Sequence, residues 1–270
     1  MADWALDTCA HIETIGANLS GSSGTTVTAS LTANTKGSWV ELVSATGRAS
    51  HSVTVTANPT SLAAYLLDIG VGAAGSEQVL IADVHHSGNF EVPMAIGFPV
   101  SIPAGSRVAA RLACSTAVAR MTTTAYLSSS GFSGSPGLHR VVTYGAVPAS
   151  SNGTVIDPGA TVNTKGAWVE LVSSSTAAHR ALVMAVGNNN NTAATVTTWL
   201  IDIGVGAAGS EQVIVGDFRV QASASETLVP GSTPVFRVTI PEGSRLAVRS
   251  QCLISDATDR LLSCVLYGIS

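Results

Sequence analysis

The feature that most limits the fold of this chain is that its sequence is written twice. Asp68-Ile-Gly-Val-Gly-Ala-Ala-Gly-Ser-Glu-Gln-Val-Leu80 returns as Asp202–Ile214 with only the last residue changed. Asn34-Thr-Lys-Gly-Ser-Trp-Val-Glu-Leu-Val43 returns as Asn163–Val172, with Ala167 in place of Ser38. Phe98-Pro-Val-Ser-Ile-Pro-Ala-Gly-Ser-Arg107 has its counterpart in Phe236-Arg-Val-Thr-Ile-Pro-Glu-Gly-Ser-Arg245. The distance between partners widens along the chain, so the second copy carries short insertions. One falls between residues 173 and 201 and includes Asn188–Asn191; another falls between 215 and 235. A period of about 130 residues is too long for a solenoid unit and has the size of one domain. The expected organisation is an arm at 1–13, a first repeat at 14–127, a Ser/Gly/Pro-rich linker at 128–138 and a second repeat at 139–270.

Because one fold must suit both copies, each corrects the reading of the other. Ser61-Leu-Ala-Ala-Tyr-Leu-Leu-Asp68 alone suits a helix. Its counterpart Ala194-Thr-Val-Thr-Thr-Trp-Leu-Ile-Asp202 is β-branched and aromatic, which favours a pleated strand. Thr25–Leu31, His51–Ala57 and Ser106–Cys114 also read as strands, with turn residues between such runs. The expected fold class is all-β: two tandem antiparallel β-sandwich domains of jelly-roll-like kind, about eight strands each, with no helix.

Gly70-Val-Gly72-Ala-Ala-Gly75 spells the glycine spacing of a dinucleotide site. Such a site needs a helix to open at the third glycine, so that its N-terminus meets the pyrophosphate. Short β-branched runs follow both Gly75 and Gly209 instead. The glycines are expected to supply positive φ angles in a connection between strands, and no cofactor is expected.

Thirteen Lys and Arg among 270 residues, with a net charge of −4, are too few and too scattered for a general nucleic-acid binder. No apolar run is long enough to span a membrane, and Met1-Ala-Asp-Trp-Ala lacks the basic start of a signal peptide. Cys9, Cys114, Cys252 and Cys264 form no metal or redox spacing and are expected to be reduced and mostly buried.

Three sets of residues stand out as candidate ligand or subunit contacts. Trp39 and Glu41 share one strand face, as do Trp168 and Glu170; a Trp beside a carboxylate suits sugar stacking, and equally a core or interface Trp. Arg107 and Arg111 lie four apart on one strand face, repeated by Arg245 and Arg249, and suit a solvated face, a subunit contact or an anion. Asp68 with Glu77, and Asp202 with Glu211, flank the glycine loop, where they hold a hard cation, cap the turn or pair with a basic group. No metal site is expected. No H-E-x-x-H, G-x-S-x-G or Cys/His arrangement is present, so the chain is expected not to be an enzyme, with no catalytic residue.

The segments Val100-Ser-Ile-Pro-Ala-Gly-Ser-Arg-Val-Ala109 and Val238-Thr-Ile-Pro-Glu-Gly-Ser-Arg-Leu-Ala247, with Asn-Thr-Lys-Gly-x-Trp-Val-Glu-Leu and Asp-Ile-Gly-Val-Gly-Ala-Ala-Gly-Ser-Glu-Gln, resemble tandem domains in structural proteins of tailed bacteriophages. The resemblance covers most of residues 14–270. It implies a virion component of tail, baseplate, fibre or head decoration, located in the virion after assembly in the host cytoplasm. Its partners would be further copies of itself and other virion proteins, with no nucleic acid and no membrane. The alternative is a carbohydrate-binding or host-receptor-binding module on the particle, contacting a host-surface glycan. The sparse charge and the abundance of Ala, Ser, Thr, Val and Gly suit a surface that neighbours cover.

Overall fold

Runs of alternating apolar and hydroxyl residues, cut by Gly, Pro and Asn, favour strands over helices, and the computed structural model is built almost wholly of strands. The structure describes residues 11–21, 23–88, 94–129, 140–188, 197–222, 228–229, 233–254 and 261–270. Residues 1–10, most of the expected linker, and 189–191 of the Asn run lie outside them. Among the described residues the helical content is a single 3-10 turn at Pro148–Ser150.

The first half contains β1 (Ile12–Ile15), β2 (Ala17–Asn18), β3 (Ser23–Thr28), β4 (Val40–Val43), β5 (Ser52–Pro59), β6 (Ala63–Val71), β7 (Gln78–Gly88), β8 (Met94–Phe98), β9 (Val108–Cys114) and β10 (Arg120–Ser128). The second contains β11 (Val141–Tyr144), β12 (Ala146–Val147), β13 (Asn152–Ile156), β14 (Val169–Val172), β15 (Ala181–Asn188), β16 (Thr197–Val205), β17 (Gln212–Ala222), β18 (Leu228–Val229), β19 (Val235–Phe236), β20 (Leu246–Cys252) and β21 (Leu262–Ile269). All sheet pairings between these strands are antiparallel. Sheet β3-β10-β5-β8 and sheet β4-β9-β6-β7 make the first half; β13-β21-β15-β19 and β14-β20-β16-β17 repeat them. This is the strand order of a jelly roll, eight strands in two sheets, twice. Strand β1 pairs with β10 from Ile12↔Ser128 onward, so regular structure crosses the expected boundary between residues 13 and 14.

Corresponding sheets in the two halves bury different faces. In β5, Val53, Val55 and Ala57 point into the core, while Thr54 and Thr56 are half-buried and Asn58 exposed. In β10, Met121, Thr123, Ala125 and Leu127 are buried, and Thr122, Thr124 and Tyr126 face outward. That alternation marks a sheet with one wet face. The equivalent strands β15 and β21 are buried at every position. Their second face, with Val183, Ala185, Val265, Tyr267 and Ile269, joins the same apolar cluster as the core of the first half. The core of the second half is a separate cluster around Trp199, Ile201, Met184 and Leu266.

The covering element is the C-terminal part of β7. His85 and Ser87 are buried against β15 and β21, and His86, on the other side of the strand, is buried beside Tyr65. The His85 backbone N–H donates to the Tyr267 hydroxyl at 2.8 Å, and that hydroxyl donates to the Asp83 carbonyl at 2.8 Å. His85 Nε2 lies 2.9 Å from Ser263 Oγ, and Ser87 Oγ donates to the Asn188 carbonyl at 2.8 Å. Gly187 permits this approach, since a Cβ there would stand 2.0 Å from Ser87 Oγ. Cys114, Cys252 and Cys264 are buried and unpaired, and Cys9 lies outside the described residues.

Candidate functional site

The repeated segments converge on the outer face of sheet β4-β9-β6-β7, and again on its copy. Asp68 on β6 is 4% exposed at its side chain. One of its carboxylate oxygens accepts from Lys36 Nζ at 2.6 Å and from the Asp83 N–H at 2.9 Å; the other accepts from Arg111 Nε at 2.8 Å. Lys36 also pairs with Asp83 at 2.8 Å and donates to the Leu66 carbonyl at 3.0 Å. A buried carboxylate with three donors is stable where an unpaired one would not be. The Arg111 guanidinium lies 4.6 Å from the centre of the Trp39 ring, a cation–π stack. That ring rests on Gly70, where a Cβ would come within 2.6 Å of it.

A second cluster clamps the β6–β7 hairpin. Arg107 donates through Nε to Glu41 at 2.7 Å, and through Nη1 to Glu77 at 2.8 Å and to the Gly72 carbonyl at 3.2 Å. Burial opposes the charge on Glu77, but hydrogen bonds from its own backbone N–H and from Arg107 outweigh it and hold the carboxyl below the usual range. The hydrogen bond to Glu41, then that to Glu77, raises Arg107 further.

The second half repeats this arrangement. Lys165 meets Asp202 at 2.6 Å and Asp217 at 2.9 Å, and Arg249 meets Asp202 at 2.9 Å. Arg249 stacks on Trp168 at 4.4 Å, and Arg245 joins Glu170 at 2.6 Å to Glu211 at 2.8 Å. One difference is exposure: the Asp83 side chain is 21% exposed and Asp217 68%, because the second half packs beside Asp83.

Every candidate residue therefore lies on one face, but tied to others of the same chain. Arg107, Arg111, Arg245 and Arg249 are not free on a solvated face; each is held by a carboxylate. Trp39 and Trp168 each have an arginine stacked on the ring, and Glu41 and Glu170 are turned to Arg107 and Arg245. Asp68 and Glu77 take the basic-partner alternative, as do Asp202 and Glu211. Among the described residues no group of three or more His, Cys, Asp or Glu is placed to hold a metal. Lys36 and Asp83 complete the cluster without having been singled out by sequence reasoning; the available signal was Lys36 and Lys165 inside the repeated Asn-Thr-Lys-Gly. The glycine loop is a hairpin connection, as expected. Gly72 and Gly75 have φ of +120° and +80°, and Gly206 and Gly209 repeat this. Gly70 and Gly204 differ from expectation: they sit in strands, and the Trp ring above is what excludes a side chain.

No known protein-family model matches the chain, and no curated protein matches it. Solved structures of similar architecture include a peptide-N(4)-(N-acetyl-β-D-glucosaminyl) asparagine amidase, with TM-score 0.41, 10% identity and coverage of 96% of each chain. Another is the N-terminal CBM22-1-CBM22-2 tandem domain from Paenibacillus barcinonensis Xyn10C, with TM-score 0.27, 10% identity, and coverage of 97% of this chain and 91% of that one. A third is infectious bursal disease virus Gx strain, with TM-score 0.25, 10% identity, and coverage of 97% and 72%. The likeness extends to the β-sandwich fold and assigns no activity. It does correct one expectation. Absence of catalytic motifs led to the reading that the chain is not an enzyme, yet one of these similar structures is an enzyme. Chemistry on a sandwich rests on side chains brought together in space, which a motif search cannot exclude.

Proposed function

We propose that this chain is a structural component of a tailed-phage virion, built into tail, baseplate, fibre or head decoration through the faces and loops of its sandwiches. The observation that carries the reading is the fusion of the halves. One apolar cluster runs from the core of the first sandwich onto the outer face of the second, so the chain behaves as a rigid block rather than two modules on a tether. That block presents the same Lys–Asp–Arg–Trp sheet face twice, which suits quasi-equivalent contacts in a symmetric particle. Internal pairing holds each repeated Lys and Arg of that face against a carboxylate, which leaves a stiff surface with little free charge. The sequence resemblance to phage structural domains points the same way.

The test is mass spectrometry of purified particles together with light scattering of the isolated protein. The expected outcome is a stoichiometric virion protein whose solution mass, or whose copy number per particle, fits a closed symmetry. A monomer absent from purified particles would end the reading.

A further inference from the structure

The segments shared by the halves also border a groove. It has a volume of about 750 Å³ and is lined by Ser44, by hairpin residues between Val71 and Leu80, and by residues between Ser101 and Arg107. Position by position, the second half has the same lining residues, except that Leu80 becomes Ile214 and Ser101 becomes Thr239. Strand β5 and its counterpart β15 have not been kept in this way. Strands β5 and β15 occupy equivalent places beside β10 and β21, yet Ser-Val-Thr-Val-Thr-Ala-Asn-Pro and Ala-Leu-Val-Met-Ala-Val-Gly-Asn share no residue in register. The identity runs through the hairpin and the segments beside it, buried pairs such as Ile69/Ile203 and Ile102/Ile240 included, and is lost in β5 and β15.

Folding needs account for part of the identity: Arg107 clamps the hairpin, and Gly72 and Gly105 take positive φ. They do not account for Ala73, Ser76, Gln78 and Val79. All four are exposed, and the Ser76 and Gln78 side chains make no hydrogen bond among the described residues. All four recur exposed, as Ala207, Ser210, Gln212 and Val213. Val79 and Val213 are 44% and 47% exposed, an apolar residue held at the surface in both copies.

We propose that the groove and its copy are two equivalent binding sites for a neutral glycan. Hydroxyls of Ser44 and Ser76 and the amide of Gln78 can each donate and accept, as sugar hydroxyls require. Val71 and Val79 offer apolar surface to the C–H face of a pyranose ring. Arg107 is engaged by Glu41 and Glu77, so no free charge recruits an acidic ligand. A docked protein fits less well, since the lining lacks the unengaged Trp, Tyr or Arg anchor on which interfaces depend. The inference does not rest on the virion reading.

The probe is an array of neutral gluco-, galacto- and manno-oligosaccharides, with the strongest binder then titrated calorimetrically into the full chain. Two equivalent sites per chain are expected. Val79→Asp alone and Val213→Asp alone should each leave one site, and the double variant should lose binding by about tenfold or more. Thermal melts of the variants separate loss of the site from loss of the fold. Gln78→Ala with Gln212→Ala, which removes only a surface amide, supplies a second, gentler pair. Failure of every neutral glycan to bind, or wild-type binding by the double variants, overturns the proposal. Solution oligomers that the double Asp variant dissolves, without glycan binding, would overturn it in favour of docking between copies.

Discussion

At the residue scale, two carboxylates in the same face illustrate how burial sets the worth of an ion pair. Asp68 is 4% exposed and holds Lys36 and Arg111; Glu41 is 47% exposed and holds one edge of Arg107. Removing one partner of a buried cluster leaves the others desolvated and unpaired, at a cost of about 3–5 kcal/mol. An exposed pair is worth about 0–1 kcal/mol. Asp68→Ala is therefore expected to lower stability by about 3 kcal/mol or more, and Glu41→Ala by less than about 1 kcal/mol, in denaturant unfolding. Equal losses would show that the cluster is not the buried unit described. The sequence made these residues visible, because they recur. It did not show that Asp68 pairs with Arg111, which lies on the neighbouring strand β9 in register with it.

At the element scale, the same sheet is wet in one half and dry in the other, and the substitutions follow the solvent. Thr54 and Thr56 of β5 correspond to Val183 and Ala185 of β15; Thr124 of β10 corresponds to Val265 of β21. Thr and Val have nearly one shape, so the exchange leaves backbone pairing intact and changes only whether water is wanted at that face. Val183→Thr with Val265→Thr should destabilise the protein by about 1–3 kcal/mol per buried hydroxyl left without a partner. The opposite exchange, Thr54→Val with Thr124→Val, should cost no more than about 1 kcal/mol, for the cross-strand hydrogen bond between the Thr124 and Thr56 hydroxyls, and promote self-association visible by light scattering. The uninterrupted burial of β15 and β21 was not legible beforehand, because periodicity reports one buried face and not what covers the other.

At the scale of the whole molecule, the contact between halves is directional. The first half offers the β7 edge, and the second offers the face of β15 and β21. The corresponding strand of the second half, β17, carries exposed Asp217 and Arg219 and is paired by β18 at Gln221 and Ala222. Titration bears on the same contact. Burial, with a lesser push from His86, lowers His85 to about 3, and burial lowers His86 to about 4, from an ordinary 6.5. Both are neutral when folded, whereas the unfolded chain takes up protons as pH falls below 6.5. Their contribution is intact above that value and is lost as pH falls toward 4 and then 3. Glu77 and Glu211 lose theirs only below their ordinary 4.5, so a decline between 6.5 and 4.5 belongs to these two histidines together with buried His179, which burial also lowers from 6.5. The melting temperature should fall across that window, and His86→Phe, which keeps a ring against Tyr65, should flatten the slope. A wild-type profile already flat there would contradict this account.

Recurrence and residue type alone determined that the chain is all-β, that it is built twice, and that the glycine spacing is a hairpin rather than a nucleotide cradle. Those conclusions depend on local preference and on comparing two copies. The partners of the charged residues, the sharing of one apolar cluster between the sandwiches, and the groove beside the hairpin were decided by tertiary structure. Each depends on strands distant in sequence that the jelly-roll order brings side by side. Asp68 and Arg111 are paired across strands, and Val265 meets the first half from the far end of the chain. Local patterning carries no information about such neighbours, because the same alternation suits a strand whatever lies against its outer face.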